Sequence, residues 1–316
     1  MKKRNTAIFL AGLVLLLFLF SGLFEPKNNT VQSGVDERND NAYGVLAEKK
    51  DSLDAIVIGD SLCYTGISPL TMWEKNGFSS YNCGKTAQRM SEAYYMLKRA
   101  YKEQLPKVVV IETNMLFWPN DTEGQINQTL FEAAKYYFPL FEYHNRWKSL
   151  KAQDFEGTDC ETAKNDKGFH MKKDVEAYIG EAYMTETDMA EGVARMERIL
   201  LKKMIRLCKA KGSEVLLLSV PSPKDYTYAK HNAAQKLADA YGADYLDLNL
   251  LTEEIGIDWN QDILDGSEHL NVYGAEKVSA YLGTYLAGHY NLPDHRGEAA
   301  YESWNDCLKQ YKKEME

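Results

Sequence analysis

The stretch AIVIGDSL, residues 55–62, decides how this chain is read. Ala55–Gly59 is a short apolar run that ends in a turn, the pattern of a buried strand. Gly59 permits a sharp turn, so Ser61 falls where the strand gives way to the next element. Ligands of open α/β sheets bind beyond the C-terminal ends of the strands. A serine there has its hydroxyl exposed at the ligand edge, which is what a nucleophile needs. An ordinary turn with Ser61 as a helix cap has the same local sequence. The weight therefore falls on what else the chain brings to that edge.

Four more strand-like runs follow: Ser79–Cys83, Val108–Glu112, Glu214–Val220 and Ala243–Leu248, the third stopped by Pro221 and Pro223. Between them, apolar residues recur at three- and four-residue steps. Met90, Tyr94, Leu97, Tyr101 and Leu105 form one such series. Met189, Val193, Met196, Leu200, Met204 and Leu207 form another, with Gly212 where a C-cap belongs. Tyr228–Tyr241 and Val272–Leu286 are further helices. This alternation predicts an α/β fold with a parallel sheet of about five strands covered on both faces. The rhythm breaks at 115–188, a long aromatic-rich insertion. Near the end, Tyr301, Trp304, Leu308, Tyr311 and Met315 form one stripe of an amphipathic helix within 291–316.

Lys2, Lys3 and Arg4 precede an uncharged apolar run from Ala7 to Phe24. Eighteen helical residues span about 27 Å, close to the hydrocarbon thickness of a bilayer. Residues 1–24 therefore read as an uncleaved signal anchor, single-pass, with the basic flank inside and the rest of the chain extracytoplasmic. A cleaved signal peptide is the alternative, but the run is long for one and lacks an A-x-A-like site. Residues 25–50 are polar and read as a linker. The catalytic domain is then 51–290.

The net charge of −9 argues against a nucleic-acid partner. The five cysteines contain no CxxC pair and do not suggest a disulfide framework, so they read as small buried hydrophobes. The six histidines lack metal-binding spacing, and neither a metal nor a cofactor is expected.

Three other residues complete a candidate site. His269 lies in DGSEHLN, residues 265–271, just before a helix that Asn271 can cap. A serine alcohol needs a neighbouring base to take its proton, and this loop reaches the same sheet edge as Ser61. Asn114 follows the third strand, where its amide can donate to a developing oxyanion. Gly84 follows the second, and its N–H can approach closely because no side chain intervenes. Each has a bland reading as a turn residue. Four such types after successive strand ends is the less ordinary fact.

This combination resembles the SGNH (GDSL-type) hydrolase superfamily, whose blocks carry Ser, Gly, Asn and His in this order on a three-layer α/β/α sandwich. The matching residues are Ser61 in GDS, Gly84 in YNCG, Asn114 in ETN and His269 in DGSEHLN. The resemblance implies that Ser61 is the nucleophile and His269 the general base. It implies an oxyanion hole of the Ser61 N–H, the Gly84 N–H and the Asn114 side chain. Two departures stand out. Glu112 and Met115 replace the glycine and aspartate of the usual G-x-N-D block. The family's acid lies three residues before the histidine, where this chain has Gly266; Asp265 is then the choice to orient His269, with Asp262 and Glu268 as alternatives.

The anchor, the extracytoplasmic domain and the H-L-N-x-x-G-A ending also resemble the branch that includes alginate O-acetylation and teichoic-acid D-alanylation proteins. That resemblance implies O-acyl transfer, or esterase action, on acetyl groups of a cell-surface glycopolymer. It also implies a membrane-bound O-acyltransferase as partner. Within the insertion, Arg146 and His170 are the candidate substrate-binding residues, although its aromatics fit the core of a helical lid as well. The alternative is a catalytically degenerate scaffold that binds polymer or the membrane partner.

Overall fold

The computed structural model describes residues 2–24, 41–118, 122–148 and 166–316. After α1 (Lys2–Phe24) come β1 (Ala55–Ile58), α2 (Ser61–Gly66), α3 (Pro69–Asn76), β2 (Ser80–Asn82), α4 (Met90–Glu103) and β3 (Val108–Glu112). The insertion contributes α5 (Thr122–Tyr137), α6 (Leu140–Tyr143) and a 3-10 turn, His144–Lys148. The chain then forms α7 (Arg195–Lys211), β4 (Glu214–Ser219), α8 (Tyr228–Tyr241), β5 (Asp244–Asp247), α9 (Val272–His289) and α10 (Glu302–Met315). The five strands form one sheet in the order β2-β1-β3-β4-β5, and every pairing is parallel.

The period of two along the strands builds two cores. Ile56, Ile58, Val109, Ile111, Val215 and Leu217 face α4 and α7. Ala55, Val57, Val108, Val110, Leu216 and Leu218 face the other way, toward α2 and α9. Burying each Val, Leu or Ile side chain contributes about 1.5–3 kcal/mol, and a sheet buried on both faces leaves no polar side. The architecture is the expected helix–sheet–helix sandwich, with strand ends within a residue or so of the sequence reading. Cys63, Cys83 and Cys208 are buried thiols and Cys307 is half-buried.

Three expectations are corrected. The helix expected from Met189 begins at Arg195. Before it the chain is extended, because Asn232 Nδ2 binds the carbonyls of Thr187 and Met189 and Glu191 N donates to Ala229 O. Those bonds to α8 replace the turn that the apolar period suggested, and Met189 is left exposed. Second, the described end of the expected linker belongs to the domain. Ala42, Tyr43 and Val45 are buried there. Glu48 forms a buried ion pair with Lys167, at 2.9 Å. Third, the end of the insertion runs as an extended strap along the body. Asn82 N donates to Lys167 O at 3.0 Å, which covers the edge of β2. Gly168 makes this approach possible: its φ is +85°, and a Cβ would sit 2.0 Å from Asn82 O. At the far end of the chain, α10 buries Trp304 and Tyr311, and the Trp304 ring packs 5.2 Å from that of Trp73 on α3.

Candidate active site

Ser61 is the first residue of α2, held there by its neighbours. Asp60 caps the helix by accepting the Leu62 N–H at 3.0 Å. Gly59 lets the strand end pass beside β3, where a Cβ would lie only 2.5 Å from Glu112 Cβ. The other half of the site arrives 208 residues later. Asn271 caps α9 by accepting the Tyr273 and Gly274 N–H groups, at 3.0 and 3.2 Å. Its amide also donates to Gln261 O, Ile263 O and Asp174 O. One side chain thus ties the loop, the helix and the strap together, and fixes the base of the loop that carries His269.

The loop meets α2 at hydrogen-bond distance. His269 Nε2 lies 2.8 Å from Ser61 Oγ. Its Nδ1 lies 2.6 Å from Asp265 Oδ2. The other oxygen of Asp265 accepts the backbone N–H groups of Ser267, Glu268 and His269, at 3.1, 2.8 and 3.2 Å. Burial pushes this carboxyl up, but the bonds from the His269 ring and backbone outweigh it and bring its pKa to about 2. Asp265 is therefore ionised at neutral pH. It is Asp265, rather than the alternatives, that contacts the imidazole. Glu268 sits 3.9 Å from Nδ1 and pairs with Lys224. Asp262 pairs with Lys277 at 2.6 Å. A positive φ of 66° at Gly266 makes the turn that lets an acid four residues before the histidine reach back to it. Asp265, Glu268 and His269 also bring donor atoms within 4.8 Å of one another, but both imidazole nitrogens are already engaged by Ser61 and Asp265.

Asn114 begins a 3-10 turn after β3, and its Nδ2 donates to Asp60 Oδ2 at 2.9 Å. An amide nitrogen has two hydrogens, so one remains. The Gly84 N–H is occupied differently: it donates to Asn82 Oδ1 at 2.9 Å. Asn82 Nδ2 in turn donates to the carbonyls of Cys63 and Ile67, which locks the exit of β2 to α2.

Several residues of this site escaped the sequence reading. Trp118 Nε1 donates to Asp60 Oδ2 at 2.9 Å, beside Asn114. Burial drives the Asp60 carboxyl upward against these three donors. Glu112, standing where the resemblance expects glycine, is fully buried. Its Oε1 accepts the Asn114 N–H at 2.7 Å and the Tyr226 hydroxyl at 2.5 Å. Oε2 has no partner. Burial first, then the charge of Asp60, push its pKa well above the carboxylate range. Asp225 is near enough to His269, Glu268 and Asp60 to interact with all three charges. Only the G-D-S triplet, with its acid before the serine, carried a trace of this support.

The two candidate substrate residues part company. His170 is exposed at the rim of a cavity of about 360 Å³ that also touches Gly84, Tyr64 and Thr86. Its ring lies 5.6 Å from that of Tyr64, on the same helix as Ser61. Burial and Lys172 hold its pKa below the usual imidazole value. Arg146 is elsewhere: it is buried and donates to the Phe24 carbonyl at 2.5 Å, at the C-terminus of α1. The orphan carbonyl of a helix end explains that position.

No protein-family model and no curated protein matches the sequence. Solved structures resemble it in fold at low sequence identity. A lipase/acylhydrolase from Enterococcus faecalis is 14% identical, over 75% of this chain and 97% of that one, with a TM-score of 0.38. The acetyl xylan esterase AlAXEase is 15% identical, over 73% and 99%, with a TM-score of 0.38. A GDSL-like lipase from Bacteroides thetaiotaomicron is 11% identical, over 74% and 88%, with a TM-score of 0.36.

Proposed function

We propose that this chain is a membrane-anchored SGNH-type serine acyl-transfer enzyme acting on acetyl groups of a cell-surface glycopolymer. One observation carries the reading: Asp265, His269 and Ser61 form a continuous hydrogen-bonded relay at the C-terminal edge of a parallel sheet. Ionised Asp265 accepts a hydrogen bond from Nδ1–H, which keeps that proton on Nδ1 and leaves the Nε2 lone pair facing Ser61 Oγ. Ser61 attacks the ester carbonyl as its proton passes to Nε2. The C–O bond to the leaving alcohol then breaks, and the alkoxide takes that proton. Water or a sugar hydroxyl gives its proton to Nε2 and attacks the acyl carbon; the bond from that carbon to Ser61 Oγ then breaks, and Oγ takes the proton back from Nε2. The intermediate's oxyanion is received by the Ser61 N–H, the remaining Asn114 amide hydrogen, and the Gly84 N–H once it exchanges its bond to Asn82. The His170–Tyr64 edge of the adjoining cavity is the proposed rest for a sugar ring.

One helix among the described residues, α1, is long and apolar enough to cross a membrane. With Lys2, Lys3 and Arg4 inside, the domain faces outward, where a cell-wall or capsule polymer would be met and a membrane-bound O-acyltransferase is the proposed acyl donor. The scaffold alternative requires a broken site, and an aligned relay speaks against it.

The test uses full-length protein in detergent micelles or lipid discs. A fluorophosphonate should label wild type and not Ser61→Ala. An acetyl ester should be turned over by wild type, and an added oligosaccharide acceptor should become acetylated if sugar rather than water attacks acyl-Ser61. Equal labelling of Ser61→Ala would remove Ser61 as nucleophile. No labelling and no turnover by wild type would favour the scaffold.

A further inference from the structure

The helix α5 is inside out. Its polar residues Gln125 and Glu132 are buried against the body, at 5% and 8% exposure. Ile126, Leu130 and Tyr137 recur at i, i+4 and i+11, one helical face, and are 41%, 63% and 52% exposed. Phe141 and Trp147 continue the apolar surface beyond it, at 42% and 63%. Water favours the opposite arrangement, so an exposed apolar stripe of this size needs an occupant.

The position of the stripe says which occupant. The same segment holds the end of α1. The Phe18 and Phe138 rings meet edge-on at 5.3 Å. Ser21 is 2% exposed, and its Oγ accepts the Leu140 N–H at 3.4 Å. Arg146 binds the Phe24 carbonyl. Phe18 lies six residues before the end of the apolar run, about 9 Å along a helix axis. If Phe24 marks the hydrocarbon boundary, Phe138 reaches about 9 Å below it, within the 5–10 Å to which an interfacial helix sinks. Aromatic residues such as Tyr137 and Trp147 favour that depth. Lys148, exposed and 5.7 Å from the Trp147 ring, supplies a cation for anionic headgroups.

We infer that α5, α6 and the His144–Lys148 turn form a monotopic seat in the outer leaflet of the bilayer that α1 spans. The seat fixes the height and tilt of the domain, so that Ser61 works at a set distance above the lipid. This rests on α1 as a membrane span and is independent of the acyl chemistry.

Full-length protein in discs of phosphatidylcholine and phosphatidylglycerol tests it. Two signals are read: the emission of Trp147, as wild type minus Trp147→Phe, and the emission gained in Leu130→Trp. Both should fall when the lipid is brominated near the glycerol end of its chains, while the background emission shared by the variants stays constant. Unquenched emission at both positions, in discs that carry the protein, overturns the seat and leaves the stripe to a membrane-protein partner. Failure of the chain to co-elute with lipid overturns the span on which the seat rests. Neither readout depends on enzyme activity.

Discussion

Asp265→Asn is the sharpest test of the relay. Asparagine preserves an oxygen acceptor for the three backbone N–H groups that Asp265 Oδ1 now holds, at 2.8–3.2 Å. The loop should keep its shape. What changes is the atom facing Nδ1, where an N–H group replaces the oxygen that lies 2.6 Å away. The imidazole avoids two opposed hydrogens by carrying its proton on Nε2. That proton then points at Ser61 Oγ, 2.8 Å away, and the ring has no lone pair with which to take the serine proton. In a serine triad this tautomer error costs ~10⁴ in kcat, or about 5 kcal/mol of barrier at about 1.4 kcal/mol per factor of ten. KM should change little, because Asp265 does not touch the acyl group. Glu268→Gln is the control: that acid is 3.9 Å from Nδ1 and already paired with Lys224. Its kcat should stay within about tenfold of wild type, in line with the small worth of exposed ion pairs. Initial rates on p-nitrophenyl acetate, with circular dichroism and urea melts to establish folding, give the comparison. A folded Asp265→Asn protein that keeps near-wild-type kcat would refute the assignment, the more so if Glu268→Gln were the slow variant.

Three other outcomes are expected. Asn114→Ala should lower kcat by ~10²–10³ through loss of an oxyanion donor; rates equal to wild type would take Asn114 out of the mechanism. Gly59→Ala should destabilise by about 1–3 kcal/mol or more, because the new Cβ would lie 2.5 Å from Glu112 Cβ and 2.7 Å from Cys63 Cβ, and neither atom can swing aside; a urea melt with an unchanged midpoint would contradict that packing. Glu112→Gln tests the buried acid by pH. Burial and the Asp60 charge raise its folded pKa, whereas the unfolded chain titrates near ~4.3. The folded state then holds a proton that the unfolded state releases, so wild-type stability is whole below ~4.3 and declines as pH rises toward the folded pKa. Glu112→Gln should shed that decline and gain on wild type between mildly acidic and neutral pH in paired urea melts. Parallel pH profiles would show that Glu112 is charged in the fold.

The sheet was legible in the sequence because its signals are local. Uninterrupted apolar runs at Ala55–Ile58 and Val108–Ile111 admit one physical solution, a strand covered on both faces. The same holds for the capped start of α9 and for α1. Strand ends put Ser61 and Asn114 at one edge, and the loop before α9 brought His269 there. The fall of Met189 and Val193 outside α7 shows the limit of such periodicity: hydrogen bonds from Asn232 to the carbonyls of Thr187 and Met189 outweighed it.

Local pattern thus determined the elements, their order and the edge at which chemistry gathers. Tertiary packing decided which of three acids reaches His269: Asp265 lies 2.6 Å from Nδ1, Glu268 3.9 Å, and Asp262 pairs with Lys277 instead. It also decided that Glu112 is buried against Asn114 and Tyr226, that Arg146 closes the end of α1, and that α5 turns an apolar stripe away from the body. Each is a matter of which distant groups meet and how much water they lose. A one-dimensional pattern carries neither quantity.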